Sequence, residues 1–285
     1  MQDKQHEHWD IVIDADKQKL SLNLKELWRY RDLIIQFAKR DISTVYNQTI
    51  LGPLWFLIQP FITSVLFKVV FGNIAKIGTE GIPSMLFYLS GLTVWGYFLS
   101  TFNATANTFI ANAAVFGKVY FPRLVTPLSK ILSSLFIFFA QFTLFILFLC
   151  YYIFFGGLHF SFNIYMLWIP YLVLLMGGIG LGGGIIISSL TTKYRDLSFF
   201  VTFSVQLLMY LAPVIYPMSK ATGLMRMIIL ANPISSVVES FRYAFFPIGK
   251  FPFMHLAYSS VFMLILVITG MLMFNRVERN FMDTV

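Results

Sequence analysis

Gly178, Gly180 and Gly183, in the run MGGIGLGGGIIISS that starts at Met176, keep the G-x-G-x-x-G spacing of a turn that cradles a dinucleotide pyrophosphate. That chemistry needs a strand before the glycines, a helix after them and an acidic residue about 20 positions on, all within a soluble βαβ unit. Here Leu, Ile and Val stand on both sides of the run, inside a long apolar stretch. On a helix face the same residues form the pairs Gly178/Gly182 and Gly180/Gly184, small-xxx-small spacings that let two helix backbones approach closely. Helix packing is therefore the expected role. FGKVY and IGKFP lack both the Gly-rich loop before a P-loop lysine and the Ser/Thr after it, so the chain is expected to bind no ATP by itself and to carry no cofactor.

Acid–base and metal chemistry fare no better. His6, His8, His159 and His255 are scattered, and the single cysteine, Cys150, lies in an apolar run and can form no intrachain disulfide. Glu239 and Arg242 stand at i, i+3, close enough to pair on a helix. Near a membrane such a pair is a functional candidate, and also a structural clasp.

The elements that must hold these residues follow from composition. With 58% hydrophobic and 12% charged residues among 285 and a mean hydropathy of +0.74, the chain is far more apolar than a soluble domain, in which about 25% of residues are charged. It reads as an all-α membrane protein. A window of about 20 residues finds six spans, near 52–72, 85–108, 128–154, 164–190, 197–217 and 253–274. The first is too long for a cleaved signal. No Asp or Glu falls inside any of them, which disfavours a proton-coupled carrier and points to a driving force supplied from outside the chain.

Eight Lys and Arg precede Gly52, and the connections then alternate between basic-rich and basic-poor. By the positive-inside rule both termini are expected in the cytoplasm, with 218–252 the exception to the alternation. The net charge of +8 is thus mainly topological, and no nucleic-acid partner is expected.

Residues 1–50 form a cytoplasmic N-terminus and 51–285 the membrane domain. Within LKELWRYRDLIIQFAKRDI, Leu24, Leu27, Trp28, Leu33, Ile34, Ile35, Phe37, Ala38 and Ile42 fall on one side of a helix. Lys25, Arg29, Asp32, Gln36, Lys39 and Arg40 fall on the other, the pattern of an amphipathic helix lying in the headgroup plane. Residues 1–20 are charged and poorly periodic. The segment 218–252 has two apolar stretches, each too short to cross about 30 Å, broken at Asn232-Pro233. This predicts a re-entrant helix pair on the outer side.

The spans carry uncharged polar residues, Gln59, Asn103, Asn107, Gln141 and Gln206, among dense aromatics. Aromatic faces with amides and hydroxyls suit a sugar, which offers C–H surfaces to stack and hydroxyls to bond. Most of the aromatics must face lipid or form interfacial belts. A glycan path is assigned to a few residues, including Trp55, Phe56, Tyr210 and Tyr216.

Five landmarks run in order along almost the whole chain: RDLIIQFAKRDISTVYNQTILGPLWFLIQP, VYFPRLVTPLSK, TKYRDLSFF, LAPVIYP and NPISSVVESFR. Together they resemble the transmembrane permease subunit of bacterial ABC exporters for polysaccharides, the group that handles O-antigen, capsular polysaccharide and teichoic acid. The resemblance implies a homodimer in the cytoplasmic (inner) membrane that works with two copies of a separate cytoplasmic ATPase, on which ATP and Mg would bind. It implies a lipid-linked glycan as substrate. It implies contacts to that ATPase from the N-terminal helix, including Arg29 and Arg40. A coupling segment at about 109–127 carries Lys118, Tyr120, Phe121, Pro122 and Arg123. Tyr194, Arg195 and Asp196 match a loop motif for which ATPase contact and a structural role are both open.

The same resemblance makes the first and fifth spans channel-lining and carries over Trp55, Pro213 and Tyr216; Phe56, Gln59, Gln206 and Tyr210 join that expected lining from the reading of the amides and aromatics. It makes 218–252 a pair of outer gate helices with Asn232, Pro233, Glu239 and Arg242. Ala212 stands where a small polar residue is common, which weakens inference about the local channel chemistry. The alternatives are an ABC permease for a drug or lipid, and a membrane glycosyltransferase or acyltransferase acting without ATP.

Overall fold

The protein was analysed as a computed structural model, which describes residues 24–48, 52–109, 111–112, 121–192 and 196–281. The described chain is helical: α1 (Leu24–Arg29), α2 (Arg31–Gln48), α3 (Trp55–Phe67), α4 (Ser84–Ala106), α5 (Val125–Phe154), α6 (Ile169–Thr191), α7 (Leu197–Leu208), α8 (Gly223–Ala231), α9 (Pro233–Phe245) and α10 (Phe253–Phe281). Among the described residues, five helical stretches are long and apolar enough to cross a membrane: α3 with its continuation to Ile74, α4, α5, α6 with the short turn that precedes it, and α10. The pair α8 and α9, bent by 90° at Asn232, makes the expected broken element.

α4 and α6 form the centre, buried along most of their length, while α3, α5 and α10 turn most of their surface outward. The glycine run explains this arrangement. A Cβ on Gly180 would come within 3.1 Å of the Phe98 carbonyl oxygen, and one on Gly184 within 2.8 Å of the Phe102 carbonyl oxygen, both on α4. A Cβ on Gly182 would lie 2.8 Å from the backbone of Leu266 and Val267 on α10, where Gly178 also faces Met263. The two small-xxx-small pairs therefore serve two partners, one face of α6 seating α4 and the other seating α10.

The N-terminal helices close one end of the bundle. Leu33, Ile34 and Phe37 of α2 pack on a cluster built from Phe109, Phe121, Val125, Leu181, Ile185 and Phe274. Phe37 meets Phe121 edge to face, ring centroids 5.6 Å apart, and Phe109 stacks on Phe274 at 4.5 Å. The apolar side expected of this helix is thus divided: Leu33, Ile34, Phe37 and Ala38 turn to protein, whereas Trp28 and Ile35 are exposed.

Two expected spans differ in form. The first leaves α-geometry at Lys68 and runs to Ile74 as a seven-residue π-helix, a widened turn that follows Pro60 inside α3. The fifth, expected over 197–217, is helical for 12 residues only, Leu197–Leu208, or about 18 Å of rise. From Met209 to Ala212 each N–H bonds the carbonyl three residues back. The helix then stops at Pro213, which has no N–H to continue it.

Candidate functional site

Stopping a helix among apolar side chains leaves carbonyls that need donors. Side chains from elsewhere meet three of them. Tyr216 Oη donates to the Tyr210 oxygen at 2.8 Å, Asn232 Nδ2 to the Leu211 oxygen at 3.2 Å, and Arg242 Nη2 to the Pro213 oxygen at 2.9 Å. The turn is seated on α4 at Gly91, where a Cβ would stand 3.2 Å from Val214 Cα.

Asn232 does double duty, because its Oδ1 accepts from Ile234 N at 3.1 Å and so caps α9 while its amide nitrogen reaches α7's end. Pro233 occupies the first turn of α9, and its carbonyl accepts from Ser259 Oγ of α10 at 2.7 Å. Glu239 lies 3.6 Å from Arg242 Nη1 and accepts a 3.4 Å bond from Met218 N. The Arg242 guanidinium lies over the Phe87 ring, 3.7 Å from its centroid. The residues expected at an outer gate and those expected at the fifth span thus form one network around residues 209–216.

Beside this network lies a cavity of about 610 Å³ between α3 and α7, with α4 and α5 as its other walls. Phe56, Gln59, Gln206 and Tyr210 of the expected lining meet there, joined by Trp95, Asn103, Gln141 and Phe203. Every polar side chain lining it is an uncharged amide or hydroxyl. Gln141, in particular, is buried beside Gly96, and its Oε1 has no hydrogen-bond partner among the described residues. Trp55 is not part of this lining and is half exposed on α3. Pro213 is buried under Arg242 and Tyr216 bonds back to the turn, so neither lines the cavity.

At the end of the bundle closed by α2, Phe121 and Arg123 are buried and Pro122 is half-buried. The Arg123 carbonyl accepts from Thr126 Oγ1, in the first turn of α5, at 2.7 Å. Arg29 is exposed, and Arg40 lies over Phe37 at 4.7 Å and bonds Asp41 at 3.0 Å. Asp196 is exposed just before α7. Lys118, Tyr120, Tyr194 and Arg195 lie outside the described residues, as do residues 1–23. Among the described residues no group of three His, Cys, Asp or Glu could hold a metal ion.

Trp95 and Gln141 went unassigned in the sequence because nothing local marks them. Gln141 is one of five scattered amides, and Trp95 is one of many aromatics. What distinguishes them is convergence on the same cavity from α4 and α5.

Two curated relatives run nearly end to end with this chain, and a third covers about three quarters of it. An O-antigen export system permease protein RfbA from Klebsiella pneumoniae is 29% identical over 268 residues, 93% of this chain and 98% of that protein. A second from the same organism is 27% identical over 266 residues, with the same coverage. One of that name from Myxococcus xanthus is 25% identical over 230 residues, 78% of this chain and 84% of its own length. The model of the ABC-2 type transporter family matches residues 32–246, from α2 through the turn after α9. That span takes in the cavity, the capped turn and the bent pair, and the chain belongs to the ABC-2 type transporter family as one of its membrane subunits.

Proposed function

We propose that the chain is the membrane subunit of an exporter that moves a lipid-linked polysaccharide, of the O-antigen, capsule or teichoic-acid type, across a bacterial cytoplasmic membrane. The observation that carries this reading is the cavity between α3 and α7, where four aromatic side chains and four amides meet without any ionised group. Rings stack on the C–H faces of a sugar and amides trade hydrogen bonds with its hydroxyls. Lacking a fixed charge, the lining holds no repeating unit so tightly that the chain stalls. Its volume falls within the roughly 300–1,000 Å³ of small-molecule sites, enough for a short stretch of glycan. The Klebsiella and Myxococcus relatives, named as O-antigen export permeases, support the same cargo class.

Two copies of this chain, each with α3 and α7 outward on one side, would enclose the path. Two copies of a separate cytoplasmic ATPase would bind ATP and Mg and drive it. Phe121 and Phe37 share one cluster, so a push on the 109–127 segment and a push on the N-terminal helix would enter the bundle together. Both termini are assigned to the cytoplasm on the distribution of Lys and Arg.

The experiment is complementation of a strain lacking this gene, reading surface glycan by antibody or lectin. Gln59→Leu with Gln206→Leu should lower display several-fold while membrane levels of the chain stay unchanged. Normal display from the double variant, or turnover of a lipid-linked sugar by the purified chain alone, would overturn the reading.

A further inference from the structure

The polar groups around the large cavity differ in what they can give and take. Four amides line it, on Gln59, Asn103, Gln141 and Gln206, and each holds donors and an acceptor in one group. Two of the hydroxyls have already committed their protons inside the protein. Thr63 Oγ1 donates to the Gln59 carbonyl oxygen at 2.9 Å, and Ser100 Oγ donates to Ser134 Oγ at 3.1 Å. What Thr63 and Ser100 offer beyond those bonds is oxygen lone pairs. The rings of Phe56, Trp95, Phe203 and Tyr210 complete the chemistry of the lining, and a ring face is the negative side of its quadrupole.

None of the described residues lining the cavity is a cation. Lys130 lies behind the wall of Phe56, Ser100 and Ile137, which also bounds a smaller cavity, and its Nζ sits 2.6 Å from Asp41 Oδ2. Arg242, in the network beside the large cavity, donates to the Pro213 carbonyl at 2.9 Å and stands 3.6 Å from Glu239. Each of these positive charges is matched by a carboxylate of the protein itself.

A sugar hydroxyl donates as well as accepts, so it can bond an amide in either sense and give its proton to Thr63 or Ser100. A phosphate or a carboxylate only accepts. It would meet lone pairs and ring faces where it needs positive charge, and an anion drawn out of bulk water without a partner is strongly disfavoured.

We infer that the cavity passes glycans whose repeating units are uncharged and turns away those that carry a phosphate or carboxylate in each repeat. This selectivity rests on the reading of the cavity as the cargo path, and it narrows the cargo. A backbone of polyol phosphates, the teichoic-acid type, is set aside. Two copies enclosing one path would present the same residues twice and add no charge to the lining.

The test has two parts, both in the strain that makes this protein. The surface polymer that is lost when the gene is deleted and returns on complementation is hydrolysed and assayed for neutral sugars, uronic acids and phosphate. Neutral sugars should account for the whole repeating unit. A phosphate or carboxylate in every repeat would overturn the selectivity while leaving the cargo path in place.

The second part compares Gln206→Lys with Gln206→Glu, membrane levels of the chain being measured alongside. An uncharged cargo is indifferent to sign, so both variants should lower display several-fold, by factors that agree within about threefold. An anionic cargo would pass the lysine variant better than the glutamate variant by more than that factor, and this asymmetry would also overturn the selectivity. Should either variant fail to reach the membrane, Gln59→Lys and Gln59→Glu take the place of the pair. A surface polymer unchanged by the deletion, or full display from all the charged variants, would remove the cavity from the cargo path and the selectivity with it.

Discussion

The Arg242 guanidinium donates to the carbonyl oxygen of Pro213 at 2.9 Å across 29 residues of sequence, while its flat face covers the Phe87 ring at 3.7 Å. One side chain therefore ties the end of the short helix α7, the bent element α9 and the central helix α4. Arg suits this place because its planar group can stack and donate at the same time, which a lysine ammonium does less well. The Glu239 carboxylate, 3.6 Å away, neutralises the charge at a longer range than a good hydrogen bond.

Replacing Arg242 by Met should therefore leave the Pro213 carbonyl without its donor, at a cost of about 1.5–3 kcal/mol for a hydrogen bond from a charged group. Arg242→Lys should recover only part of that, and Glu239→Gln should cost less than either. Thermal unfolding of the purified chain in micelles measures the order. A Met variant as stable as the parent would show that the turn after α7 does not depend on this bond.

Gly184 and Gly182 make a different prediction, since they face opposite neighbours. Gly184→Val would press on the Phe102 carbonyl and Thr105 of α4, and Gly182→Val on the Leu266 and Val267 backbone of α10. Because backbone cannot move aside as a flexible side chain can, each should cost at least about 1–3 kcal/mol, the usual range for overpacking. Gly78→Ala, with nothing within 4 Å of the added carbon, is the control and should be neutral. Yield of folded, monodisperse protein distinguishes them. Equal yields from all three would remove the glycine-mediated packing of α6.

Phe37 and Phe121, 5.6 Å apart and edge to face, couple the N-terminal helix to the entry of α5. A double-mutant cycle with Phe37→Ala and Phe121→Ala should show an interaction of about 0.5–1.5 kcal/mol. Each single variant should also make α2 more susceptible to protease. If the two losses are simply additive, the two elements do not act as one body.

These contrasts show what the residue order carried and what it did not. The glycine spacing and its lipid-like flanks were enough to read α6 as a packing helix, because both observations are local. The break at Asn232-Pro233 was legible for the same reason. The early end of α7 was not, since the 197–217 stretch carries no charged residue to interrupt it and its carbonyls are met by Asn232 and Arg242, 21 and 29 residues further on. Phe56 and Gln59, at i, i+3 on α3, line the cavity, whereas Trp55, at the start of α3 and half exposed, does not, although its i, i+4 spacing to Gln59 fits the same face. Gln59, Gln141 and Gln206 lie on three different helices, and only the packing of α3, α5 and α7 around α4 brings them to one wall.

Gln141 supplies the sharpest separation between stability and transport. Its amide oxygen is buried without a partner among the described residues, a situation that costs roughly 1–3 kcal/mol relative to an apolar group of the same shape. Gln141→Met is close in volume and removes the unpaired oxygen, so the melting temperature of the purified chain should hold or rise. Under the proposed function, surface glycan in the complemented strain should nevertheless fall, because the wall of the cavity loses one of its four amides. A structural role for Gln141 predicts instead that melting temperature and glycan display fall together. A Met variant that melts no lower than the parent and still displays glycan at the parent level would take Gln141 out of the cargo path.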